Sequence, residues 1–149
     1  MGPVSLEGLP ENALLLVDSA PIIYVLEQHQ EFAPAFRPVF EAHDKGFVRL
    51  AVTTITLAEV LTGPLGADDE VLAERYRSTL KSWFVVDLDP EIAESAARLR
   101  AALKLKLADA VQAASALAIG ADVLVTHERD FSAVRDLRVL GIRRESPSN

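Results

Sequence analysis

Asp18, Glu59, Asp109 and Asp130 are four carboxylates spread through the chain, and each lies where a short apolar run meets a turn or a helix start. Their settings are LLLVDSAP, TTITLAEVLTG, KLADAVQAASALAIGA and VLVTHERDF. In an open α/β sheet such positions converge at the carboxyl ends of the strands, where these folds bind their ligands. Carboxylates brought together repel one another unless a hard divalent cation lies between them. The pattern therefore points to an oxygen-ligand Mg²⁺ or Mn²⁺ site of the kind that hydrolyses phosphodiesters.

Each acid has a plainer reading beside the chemical one. Asp18 could be a helix cap, although Ser19 next to it could cap as well. Glu59 has the apolar neighbours Leu57, Ala58, Val60 and Leu61, so its helix is expected to be largely buried and the Glu to need a cation or a partner. The alternative is an exposed Glu favoured by the helix dipole. Asp109 heads a helix whose other residues are nearly all small and apolar, AVQAASALAI, and the dipole would also stabilise a charge there. In VTHERDF, Glu128 competes with Asp130 for the fourth acidic position. Thr126 could hydrogen-bond a carboxylate or a metal-bound water. His127 is soft for a magnesium site and is expected to be simply exposed.

The elements that would position these groups alternate strand and helix. Residues 1–12, with Gly2, Pro3, Gly8 and Pro10, read as a flexible leader, and residues 13–149 as one domain. Ala13–Val17 is a continuous apolar run suited to a strand covered on both faces. Ser19 or Ala20 is expected to cap a helix with Pro21 in its first turn, fading after Gln28. A second helix is expected from Pro34 to Lys45, ended by Gly46. Strands follow at Phe47–Thr54, Phe84–Leu88, Ala121–Thr126 and Leu137–Leu140. Thr56–Leu61 reads as a short helix stopped by Gly63-Pro64, Asp68–Leu80 as an amphipathic one, and further helices begin at Asp89-Pro90 and span Ala108–Ile119. The expected fold is a single three-layer α/β domain: a mostly parallel sheet of about five strands flanked by helices.

Composition narrows the function. Half of the 149 residues are hydrophobic, and no apolar run approaches membrane-spanning length. The first residues lack a basic stretch followed by an apolar one, so no secretory signal is expected. A myristoylation signal would want Ser or Thr where Leu6 stands. With no cysteine there is neither disulfide nor thiolate chemistry, which suits a cytoplasmic protein. His29, His43 and His127 have no matching nucleophile context. The net charge of −7 opposes nucleic-acid binding, but the charge is uneven. Residues 1–70 hold three basic and eleven acidic side chains, whereas residues 75–106 hold seven basic and four acidic. The plainer reading of these basic residues, and the favoured one, is a solvated helix surface.

The stretches LLLVDSAPIIYVLE, TTITLAEVLTGP and LADAVQAASALAIGADVLVTHERDF, in that order, resemble the PIN domain, and in particular the small stand-alone toxins of the VapC type. They span residues 14 to 131, with the acids 41, 50 and 21 residues apart. The resemblance implies a parallel sheet flanked by helices, Mg²⁺- or Mn²⁺-dependent ribonuclease activity, homodimers and inhibition by a small antitoxin. It carries metal-site and catalytic roles to Asp18, Glu59 and Asp109, and the fourth to Asp130, with Glu128 fitting an alternative register. Thr126 and Ser19 would stand beside the site, and Arg129 would meet RNA, with less specific help from the basic residues of 75–106.

Two functions of different class follow. One is a metal-dependent endoribonuclease acting on single-stranded or structured RNA as the toxin of a toxin–antitoxin pair, with bound water in place of a protein nucleophile. The other is a catalytically inactive interaction module of PIN fold. Completeness of the site separates them, because a degenerate module is expected to lose one of the first three acids. A phosphoryl-accepting domain using Asp18 fails on local sequence: Ser19-Ala20 follows, where an acidic pair or Asp-x-Asp is required.

Overall fold

Strand β1 (Ala13–Val17) is buried along its whole length because it lies at the centre of the sheet. The computed structural model describes residues 2–127 and 131–142. Beside β1 run β2 (Val48–Thr53), β3 (Phe84–Val86), β4 (Val123–His127) and β5 (Val139–Ile142), in the order β3-β2-β1-β4-β5. Every pairing is parallel. The helices are α1 (Ser19–Leu26), α2 (Ala33–Asp44), α3 (Thr54–Gly66), α4 (Glu70–Lys81), α5 (Pro90–Leu103) and α6 (Leu107–Ala118).

Strand alternation divides β1 between two cores. Ala13, Leu15 and Val17 face a core completed by Ile22 of α1, Phe36 and Val39 of α2, Val60 of α3 and Leu80 of α4. Leu14 and Leu16 face the other, built from Ile92 and Ala96 of α5 and Ala110, Ala113, Ala114 and Ala116 of α6. The result is the expected three-layer α/β fold. The leader residues Val4, Leu6 and Leu9 lie against the first core, and the Val4 N–H donates to Ala35 O at 2.8 Å. Among the described residues no helix is long and apolar enough to cross a membrane.

Several local expectations change. Asp18, not Ser19 or Ala20, is the N-cap of α1 and accepts from the Ser19 N–H. Helix α3 starts at Thr54 under the Thr53 cap, two residues earlier than expected, and runs through Gly63-Pro64 to Gly66. Pro64 falls in line with Thr56 and Val60 at helical spacing, and all three are buried. Burial of that stripe outweighs the single backbone bond that proline removes. Strand β5 lies two residues later than expected. The Gly46 punctuation of α2 holds: its φ is +78°, and its N–H donates to His43 O.

Candidate active site

The order of the strands reverses at β1, which has β2 on one side and β4 on the other. A cleft opens at such a reversal, outside the carboxyl ends of the strands. Asp18 is the first residue beyond β1, and its backbone N–H donates to Val125 O of β4 at 2.8 Å. The residue is only 5% exposed. Three neutral donors hold its carboxylate: Ser19 N at 2.8 Å and Gln112 Nε2 at 2.9 Å on Oδ1, and Thr126 Oγ1 at 2.9 Å on Oδ2. A buried charge demands such compensation.

The neighbouring polar groups form one connected set. Gln112, 1% exposed on α6, also donates from Nε2 to Thr56 Oγ1 at 2.8 Å, and its Oε1 accepts from Thr53 Oγ1 at 2.8 Å. The Ser19 hydroxyl lies 3.1 Å from Thr56 Oγ1 and 3.0 Å from Glu59 Oε1. Every buried side-chain nitrogen and oxygen among the described residues has a hydrogen-bond partner.

Glu59 reaches this set from the opposite condition to Asp18. It is exposed, as is Ala58, while Leu57 and Leu61 are half-buried. The expectation of a largely buried α3 is therefore wrong, because only the Thr56, Val60, Pro64 stripe is sealed. Glu59 needs no cation for burial's sake. Its place beside the site comes from Thr56, one turn earlier on the same face. Asp109 is half-buried in the first turn of α6, three residues before Gln112, so both share one helix face. Asp130, Glu128 and Arg129 lie outside the described residues. Among the described residues no three Asp, Glu or His side chains are grouped as a ready metal cage.

His127 is half-buried rather than simply exposed. Its Nδ1 is 2.7 Å from the Tyr24 hydroxyl, and its ring meets Phe32 edge-on at 4.6 Å between centroids. This aromatic cluster anchors the end of β4 directly before residues 128–130. Sequence reasoning missed Gln112, Thr53 and Thr56. Their signal was available: Gln112 is a lone amide in an alanine-rich run, and a buried polar group must find partners.

The donor set fits a hard divalent cation such as Mg²⁺ or Mn²⁺. It is all oxygen. The Asp18 carboxylate has no cationic side chain on it among the described residues, and its Oδ2 accepts a single hydrogen bond. That oxygen retains a lone pair for a ligand.

The PIN domain sequence profile matches residues 15–137. Comparison with curated proteins gives no match. Among solved structures, a toxin–antitoxin complex from Klebsiella pneumoniae is similar with a TM-score of 0.65 and 25% identity, over 81% of this chain and 92% of that one. The VapBC-5 toxin–antitoxin structure from Mycobacterium tuberculosis is similar with a TM-score of 0.53 and 25% identity, over 89% and 99%. VapC20 from the same organism, described as a sarcin–ricin loop cleaving toxin, has a TM-score of 0.63 at 14% identity, over 80% and 93%, and shares the fold. With a profile match covering most of its length and a parallel sheet that carries Asp18 at the strand-order reversal, the chain belongs to the PIN domain family.

Proposed function

We propose that this chain is a metal-dependent endoribonuclease, acting on single-stranded or structured RNA as the toxin of a toxin–antitoxin pair. The observation that carries the reading is the Asp18 carboxylate: buried, held by three neutral donors, and set at the sheet's reversal point. Asp18, Glu59 and Asp109, with Asp130 or Glu128 as the fourth acid, would hold Mg²⁺ or Mn²⁺. When bound, the cation supplies activation of water and stabilisation of charge on the phosphate under attack. Thr126 and Gln112 keep Asp18 in place, and Ser19 ties Glu59 to the same set. Arg129 and nearby basic residues would receive phosphates. The two toxin–antitoxin relatives at 25% identity support a small antitoxin as partner, and the resemblance to VapC-type toxins supports RNA as substrate, a homodimer and a cytoplasmic place of action.

The second reading, a non-catalytic PIN module, is favoured by one observation: the described acids are not grouped as a cage. The decisive assay gives purified protein a mixed cellular RNA pool with Mn²⁺, with Asp109→Asn alongside to exclude contaminating nuclease. We expect cleavage by the wild type, its loss on chelation, and none by the variant. Equal cleavage by both proteins, or none by either, moves the assignment to the non-catalytic module.

A further inference from the structure

The two carboxylates at the ends of the polar set determine the direction of every hydrogen bond between them. A carboxylate only accepts. Glu59 Oε1 must therefore accept from the Ser19 hydroxyl, 3.0 Å away. Having given its proton there, Ser19 Oγ must accept from Thr56 Oγ1, at 3.1 Å. Thr56 Oγ1 in turn accepts from Gln112 Nε2, at 2.8 Å. The second Nε2 hydrogen goes to Asp18 Oδ1, at 2.9 Å, and Thr53 Oγ1 donates to the Gln112 carbonyl at 2.8 Å. Turning the amide over would put its oxygen against the Asp18 carboxylate and its NH₂ against Thr53, so one orientation is selected.

From this we infer that Gln112 is a positioning residue that orients Asp18 and couples it to Glu59 through Thr56 and Ser19. The inference rests on the metal-dependent reading above. Both Oδ1 lone pairs are taken, by Ser19 N and Gln112 Nε2, while Oδ2 accepts from Thr126 alone. Gln112 thereby sets which oxygen of Asp18 faces a ligand. Its other bond sets where Glu59 can reach. Because Gln112 is fully buried and its amide is bonded on both sides, the two acids are oriented together before any cation arrives. Cooperative polarisation runs along the chain toward both carboxylates.

The test titrates the full chain with Mn²⁺ alone, by calorimetry, and separately follows unfolding without metal. Gln112→Leu keeps the volume and removes the amide. We expect it to weaken Mn²⁺ binding about 10–100-fold, the effect typical of a partner that orients a ligand. Thr53→Ser, which keeps the hydroxyl on Gln112 Oε1, should bind as the wild type does, and Thr53→Val should weaken binding in the same direction. These two keep the question answerable if Gln112→Leu fails to fold. A merely structural Gln112 would lower stability and leave the affinity of the folded protein unchanged, and that result overturns the inference. Wild-type protein that binds no Mn²⁺ at millimolar concentration overturns the metal reading itself, which distinguishes the two failures.

Discussion

Asp18 does two jobs with one carboxylate: it caps α1 through Ser19 N and it receives Gln112 and Thr126. The two jobs separate by substitution. Asn caps a helix about as well as Asp. In the Asp18→Asn variant the side-chain oxygen can stay toward Ser19 N and Gln112 while the Thr126 hydroxyl turns to accept from the new amide. Asp18→Asn is therefore expected to change stability by less than about 1 kcal/mol and still abolish Mn²⁺-dependent cleavage. Asp18→Ala leaves three buried donors without an acceptor and should cost about 2–4 kcal/mol. Urea unfolding of both variants beside the RNA assay checks this. Asn as costly as Ala would make Asp18 a structural acid only. At this scale the sequence was legible for charge and opaque for neutral polar groups. Asp18 and Asp109 announce themselves as acids against apolar runs, whereas Gln112, Thr53 and Thr56 are ordinary residues whose importance comes only from burial beside a carboxylate.

The elements were legible wherever apolar length and punctuation agreed. β1 is a continuous apolar run, and its bounds match the expectation; α2 ends where Gly46 takes positive φ. Expectation failed where a local breaker met tertiary burial. Gly63-Pro64 should stop α3, yet Pro64 continues the buried stripe of Thr56 and Val60. The same conflict explains Glu59, whose apolar neighbours suggested a sealed helix that packing leaves half open. Fine placement between strands was not legible at all. β5 pairs Gly141 with Thr126, and a Cβ on Gly141 would lie 2.5 Å from Thr126 O. That backbone oxygen cannot move without moving the residue that holds Asp18 Oδ2. Gly141→Ala is expected to lose about 1–3 kcal/mol as β5 is pushed away, and to weaken cleavage through Thr126. Thermal melting and the cleavage assay together read the two effects. Wild-type values in both would mean that β5 yields freely and does not brace the site.

At the scale of the whole molecule, the proposed ribonuclease function asks an acidic protein to receive a polyanion. The net charge of −7 repels RNA at long range, so favourable contacts must be local. The fold separates the basic residues that the sequence presented as one region. Arg75, Arg77 and Lys81 belong to α4, in the helical layer that packs on the first core, and Arg77 is already paired with Glu74. Lys104 and Lys106 are exposed in the link between α5 and α6, and Lys106 is the N-cap residue of α6, three residues before Asp109. Of the two groups, only the second adjoins a proposed site acid along the chain, through Lys106 and Asp109. Each phosphate contact releases counterions, so log affinity falls with log salt by about 0.7 per contact for single strands. Replacing Lys104 and Lys106 together with Ala should weaken RNA binding at physiological salt and lower the salt slope by up to about 1.4. The Arg75→Ala, Arg77→Ala pair should leave the slope unchanged. The measurement is binding of a noncleavable RNA at several salt concentrations, with Mn²⁺ present and the three proteins compared side by side. Equal slopes for all three would remove the α5–α6 link from the RNA path, and a loss confined to the α4 pair would move that path to the other face of the sheet.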